Sequence, residues 1–260
     1  RDLHYPLRRQ RQMCIRDRGK NYHPVSAILL SLAVFFIPLL FLYFVLGIVY
    51  GLDDSDTLKN LLQQNEVSLN SYGTDILIYP IEDNVMYLLS VPLQVLFISW
   101  LLRRKSIDPV HSLGLNFFDR KAFIYAVVLW ILYFAFASLY GYVLEIEMPS
   151  DFFEYSKAVP VWMISIVFII GAPIAEELLF RGYLYSQLKN TKLGINGTIF
   201  LTSLLWTVLH AQYDIDILFS LFFLGIVLGY VRYKYDSVYL AIAIHSIHNI
   251  QATIYILFFT

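Results

Sequence analysis

Seven apolar stretches, at about residues 25–50, 85–102, 122–144, 158–188, 196–211, 215–233 and 238–259, dominate this chain of 260 residues. Several reach the roughly 20 residues that a helix needs to cross the hydrocarbon core of a bilayer, while the second and fifth are short for a span. Lipid offers no hydrogen bonds, so a backbone crossing it must satisfy its own polar groups, and these stretches are read as helices. Composition agrees. Apolar residues make up 58% of the chain and charged residues 15%, against about 45–50% and about 25% in a soluble domain. A soluble globular enzyme, a disordered tail and a nucleic-acid-binding module are excluded. The expected fold is an all-α polytopic transmembrane bundle of about seven spans in a cell membrane.

Charge in the connecting segments alternates. Arg103, Arg104, Lys105, Arg120 and Lys121 flank the second loop, Lys189 and Lys192 the fourth, and Arg232 and Lys234 the sixth. The odd loops carry only Lys59 and Lys157. Nine against two places the even loops in the cytoplasm by the positive-inside rule, with the N-terminus inside and the C-terminus outside. The long segment 51–84, rich in Asp and Glu, is then external. Residues 1–18 lack an apolar period, and their string RQMCIRDR has the look of translated adapter sequence, so this leader is set aside as non-native. It also holds the only cysteine, Cys14. The chain divides into that leader, an N-terminal membrane region at 19–121 with two spans and the acidic loop, and a core at 122–260.

Ionisable groups deep in a bilayer are costly, and each is a functional hypothesis. The fourth stretch contains Glu176, Glu177 and Arg181. At 100° per residue, Glu177 and Arg181 sit about 40° apart on one face, in the acid-before-base order that pairs best. Glu176 lies about 140° from Arg181. Geometry therefore gives Glu177 to a structural ion pair and leaves Glu176 free for chemistry, although an interfacial charge cluster would read the same way. The fifth stretch ends in Trp206 and His210, and the seventh holds His245, His248 and Asn249. His245 and Asn249 share a face at i,i+4. Polar groups joining helices in lipid are the plainer alternative. At about 1.5 Å per residue, Glu176 and His210 each lie roughly 20 Å along their helices and Asn249 about 18 Å, so the groups can meet at similar depth.

Other chemistries lack their residues. There is no His-Glu-x-x-His helix, no Gly-x-Ser-x-Gly elbow, no Gly-x-Gly-Asp partner for Tyr213-Asp214 or Tyr235-Asp236, and no phosphate loop.

Three motifs in order resemble the CPBP intramembrane proteases, the family of type II CAAX prenyl endopeptidases and bacteriocin-processing enzymes. Glu176, Glu177 and Arg181 match Glu-Glu-x-x-x-Arg; Trp206 and His210 match Phe-x-x-x-His with Trp in place of Phe; His245 and Asn249 match His-x-x-x-Asn. Gly225 and Gly229 fit the small-residue pattern between the second and third motifs. The resemblance covers roughly 122–255, and position 206 is expected to pack, not to react. It implies hydrolysis of a peptide bond in a membrane-associated peptide or protein. Glu176 and His210 would activate water, and His245 with Asn249 would stabilise the oxyanion. No cofactor is required by this scheme; zinc is the alternative, held by Glu176, His210 and His245, as in a metalloprotease. The expected partners are the substrate and the bilayer, with no nucleic acid, and the expected location is a bacterial cytoplasmic membrane. A non-catalytic scaffold or immunity protein of the same fold is the competing reading, and a transporter using the polar cluster as a relay is a third, without visible inverted repeats.

Overall fold

The computed structural model describes residues 21–49, 80–146 and 159–259. The leader and most of the acidic 51–84 segment lie outside these residues. Among the described residues every regular element is helical, and none is a strand. In chain order they are α1 (Pro24–Val49), α2 (Pro80–Arg104), the short α3 (Pro109–Leu113), α4 (Arg120–Val143), α5 (Val161–Leu188), α6 (Gly194–Val208), α7 (Ile215–Tyr235) and α8 (Val238–Phe259).

The seven longer helices coincide with the seven apolar stretches. Five of them, within α1, α2, α4, α5 and α7, are long and apolar enough to cross a membrane. At 15 residues α6 is shorter, and α8 is interrupted by His245, His248, Asn249 and Gln251. Leu29, Leu40, Phe44, Leu96, Leu132 and Leu139 are exposed on the outer faces. So much open apolar surface suits lipid and not water. Between the helices Leu179, Leu184, Leu188, Leu224, Leu228 and Leu240 are fully buried.

Helix α5 is not a regular α-helix. It winds as a π-helix over Ile166–Gly171 and again over Leu178–Leu184, on either side of the α-helical turn Ala172–Glu177. The first irregularity has a cause in the sequence. In the π register Ala172 N–H reaches the Val167 carbonyl, so the next donor in line for Phe168 would be residue 173, a proline without an N–H. The Phe168 carbonyl accepts from Asn249 Nδ2 of α8 at 2.7 Å. The second follows the same logic. Tyr185 N–H goes to the carbonyls of Gly182 and Phe180, passing over Arg181, whose carbonyl accepts from Arg232 Nε of α7 at 2.9 Å. Each π segment thus has a carbonyl bonded by a side chain from another helix. Single π turns of this kind concentrate at functional sites.

The two ends of the bundle are built differently. At one end the helices are joined by polar contacts. Tyr22 donates to the Leu101 carbonyl at 3.2 Å, and its N–H donates to Gln187 at 3.0 Å. Ser112 bonds Ser186 at 3.0 Å, Asn116 donates to the Asp236 carbonyl at 2.8 Å, and Val238 N–H donates to the Gly114 carbonyl at 2.9 Å. At the other end the helices part around a cavity.

Helices α6 and α7 approach each other closely. A Cβ on Gly225 would stand 2.9 Å from Ser203 Cβ, and one on Gly229 would stand 2.9 Å from Ile199 Cγ2. The small-residue pattern lets the two backbones meet. Gly225→Val and Gly229→Val should therefore each lower stability by about 1–3 kcal/mol, visible as reduced melting temperature in detergent, whereas Gly141→Ala, which meets nothing nearby in helix α4, should not lower it.

Candidate active site

The α-helical turn between the two π segments carries the acidic pair, and the two carboxylates have different fates. Glu177 is fully buried. Its Oε1 accepts from Arg181 Nη1 at 2.9 Å and from His245 Nδ1 at 2.9 Å. Arg181, also fully buried, reaches on with Nη2 to the Gly225 carbonyl at 3.1 Å and lies over the Trp206 ring at 4.9 Å. The ion pair expected from the i,i+4 spacing is present. Its link to His245 was not visible in the sequence, because no local periodicity relates residues on α5 and α8.

Glu176 is only partly buried and faces the cavity. Its Oε2 accepts from the indole Nε1 of Trp206. Position 206 was expected to pack and not to react, and the structure adds a hydrogen bond to that packing. Trp206 is buried, with its ring edge-on to His245 at 5.4 Å, but it also gives the carboxylate a donor that the Phe of the family motif lacks. The same residue sets His210: the Trp206 carbonyl receives His210 Nδ1 at 3.0 Å. Carbonyl and carboxylate oxygens only accept here, so both imidazoles carry a proton on Nδ1. Nε2 is the atom left for cavity chemistry in His210 and in His245. Asn249 gives one N–H of its amide to Phe168 and keeps a second.

All four candidate side chains, Glu176, His210, His245 and Asn249, line one cavity of about 730 Å³. Its walls come from seven helices, including α1 and α2 of the N-terminal region, through Phe35, Leu39, Asp83, Asn84 and Tyr87. Sequence reasoning gave this region no part in the site. His248 lines the cavity too, its ring edge-on to Tyr133 at 5.8 Å. Tyr213, in the turn after α6, stacks on His210 at 6.4 Å. Its phenol pKa is pushed up by burial and further by the nearby charge of Glu176.

Among the described residues no three His, Cys, Asp or Glu side chains are grouped so as to hold a metal ion. The fourth candidate side chain, Asn249, is an amide, an uncommon zinc ligand.

Residues 158–251 match the family described as Rce1-like, type II CAAX prenyl endopeptidase. The matched stretch contains all three motifs, and the resemblance drawn from them holds. A stretch of 124 residues is 26% identical to the UPF0177 protein YbdI of Lactococcus lactis subsp. lactis (strain IL1403), covering 48% of this chain and 65% of that protein. This chain thus spans just under two thirds of that relative. No solved structure matches the chain significantly.

Two substitutions separate the roles of these contacts. Arg181→Ala leaves the Glu177 charge buried without its cation and should cost about 3–5 kcal/mol, read as a fall in abundance and melting temperature. Trp206→Phe keeps the ring and removes only the donor to Glu176. It should leave the fold intact and lower any Glu176-dependent turnover by about 10- to 100-fold, the size of a hydrogen bond to a charged group. Full activity in Trp206→Phe would mean the indole only packs.

Proposed function

We propose that this chain is an intramembrane endopeptidase, acting on a membrane-associated peptide or protein in a bacterial cytoplasmic membrane. The observation that carries this reading is the convergence of one carboxylate, two imidazoles held through Nδ1 and one amide on a single cavity within an apolar bundle. The Rce1-like match supports hydrolysis of the CAAX-protease kind, and the similar Lactococcus protein supports a bacterial setting.

In this reading Glu176, with His210 lining the same cavity, takes a proton from a water there. The hydroxide adds to the scissile carbonyl carbon, and the carbonyl oxygen becomes an oxyanion. The second N–H of Asn249 donates to that oxygen, and His245 does so through Nε2–H when it is an imidazolium backed by Glu177. The proton held by the Glu176–His210 pair then passes to the amide nitrogen as the C–N bond breaks, releasing an amine and a carboxylic acid, whose proton passes to the amine to leave a carboxylate and an ammonium group. An apolar, water-poor cavity strengthens each of these contacts, since fixed dipoles act there without bulk-water screening. No step needs a metal.

Peptide-release profiling by mass spectrometry, comparing cells with wild type and Glu176→Gln, tests the proposal. Released fragments should vanish in Glu176→Gln while abundance and melting temperature stay near wild type, since general-base loss alone costs about 100- to 10,000-fold. Asn249→Ala should lower turnover by about 100- to 1000-fold as a lost oxyanion donor. Exhaustive chelation should leave turnover unchanged, and loss of activity restored by zinc would defeat the water mechanism. An identical fragment pattern in wild type and Glu176→Gln would remove the proteolytic reading.

A further inference from the structure

The cavity sits wholly in one end of the bundle, and the basic residues sit wholly at the other. On α2 the cavity residues Asp83, Asn84 and Tyr87 lie in the first two turns, while Arg103 and Arg104 close the helix. On α5 Phe168, Ala172 and Glu176 precede Lys189 by most of the helix. Helix α6 starts after Lys192 and brings Trp206 and His210 to the cavity at its far end. On α7 Ile217, Ser220 and Leu221 line it, and Arg232 and Lys234 occupy the last turn. Helix α4 runs from Arg120 and Lys121 toward Tyr133 and Ala137.

Among the described residues every Lys and Arg except the mid-bundle Arg181 is therefore at the end joined by polar contacts. The acids of that end are committed locally. Asp108 and Asp119 cap α3 and α4, and Asp236 pairs with Arg232. The cavity end holds Asp83, Glu145, Asp214 and Asp216. Basic flanks stay on the cytoplasmic side of a membrane.

We infer that the cavity opens to the non-cytoplasmic face of the membrane, and that its substrate offers the scissile bond from that side: an apolar peptide segment of an exported or membrane-inserted protein, not the cytoplasmic tail of a lipidated one. The substrate half of this statement rests on the proteolytic reading above; the orientation does not. The lining suits such a segment. Phe35, Leu39, Phe134, Val167, Leu209 and Leu221 form an apolar wall leading to Glu176.

The test is cysteine labelling in intact cells, in the full chain with Cys14→Ser removing the only thiol in the sequence. Gln212 is exposed at the cavity rim, and Lys192 and Lys105 are exposed at the opposite end. A membrane-impermeant maleimide should label Gln212→Cys in intact cells, and Lys192→Cys and Lys105→Cys only after permeabilisation. Labelling of the two lysine positions in intact cells, with Gln212→Cys protected until permeabilisation, would overturn the inference. The same pattern should appear in Glu176→Gln, so an inactive protein and an inverted one give different results. Glu176-dependent fragments in the profiling experiment should map to non-cytoplasmic or membrane-embedded segments. Fragments from cytoplasmic tails would overturn the substrate class even with the orientation upheld.

Discussion

The buried carboxylate of Glu177 is the contact on which the rest of the site depends. One oxygen holds both Arg181 and His245, and through Arg181 the charge is tied to the Gly225 carbonyl and the face of Trp206. Four helices, α5, α6, α7 and α8, meet there. An ion pair shut away from water gains little net stability over an apolar pair of the same shape. Its use here is geometric: it fixes the tautomer of His245 and the position of Trp206, and Trp206 then positions Glu176 and His210.

The irregular winding of α5 belongs to the same arrangement. A π segment shifts the phase of everything after it, so the turn Ala172–Glu177 is aimed by the two segments on either side. Each leaves a carbonyl for a side chain from another helix, Asn249 in one case and Arg232 in the other. Asn249 thereby has two tasks, since the amide that bonds Phe168 also faces the cavity.

Much of the architecture was legible in the sequence, for a simple reason. Backbone that crosses lipid has little choice but helix, so seven apolar stretches became seven helices with boundaries shifted by a few residues. The Glu177–Arg181 pair was legible because i,i+4 spacing is local. The partners of Glu177, Trp206 and Asn249 were not, because they depend on how helices rotate against one another. The π windings also escaped a reading at 100° per residue. Pro173, five residues after Phe168 and without an N–H, was the one local mark of the first irregular winding. The contribution of α1 and α2 to the cavity had no motif to announce it.

The central claim is that Glu177 holds His245 as well as Arg181. A double-mutant cycle in thermal unfolding, using Glu177→Gln, His245→Gln and the pair, measures that contact directly. The account predicts a coupling of about 1.5–3 kcal/mol, the range for a hydrogen bond to a charged group. Additivity within about 0.5 kcal/mol would contradict it, leaving His245 independent of the carboxylate.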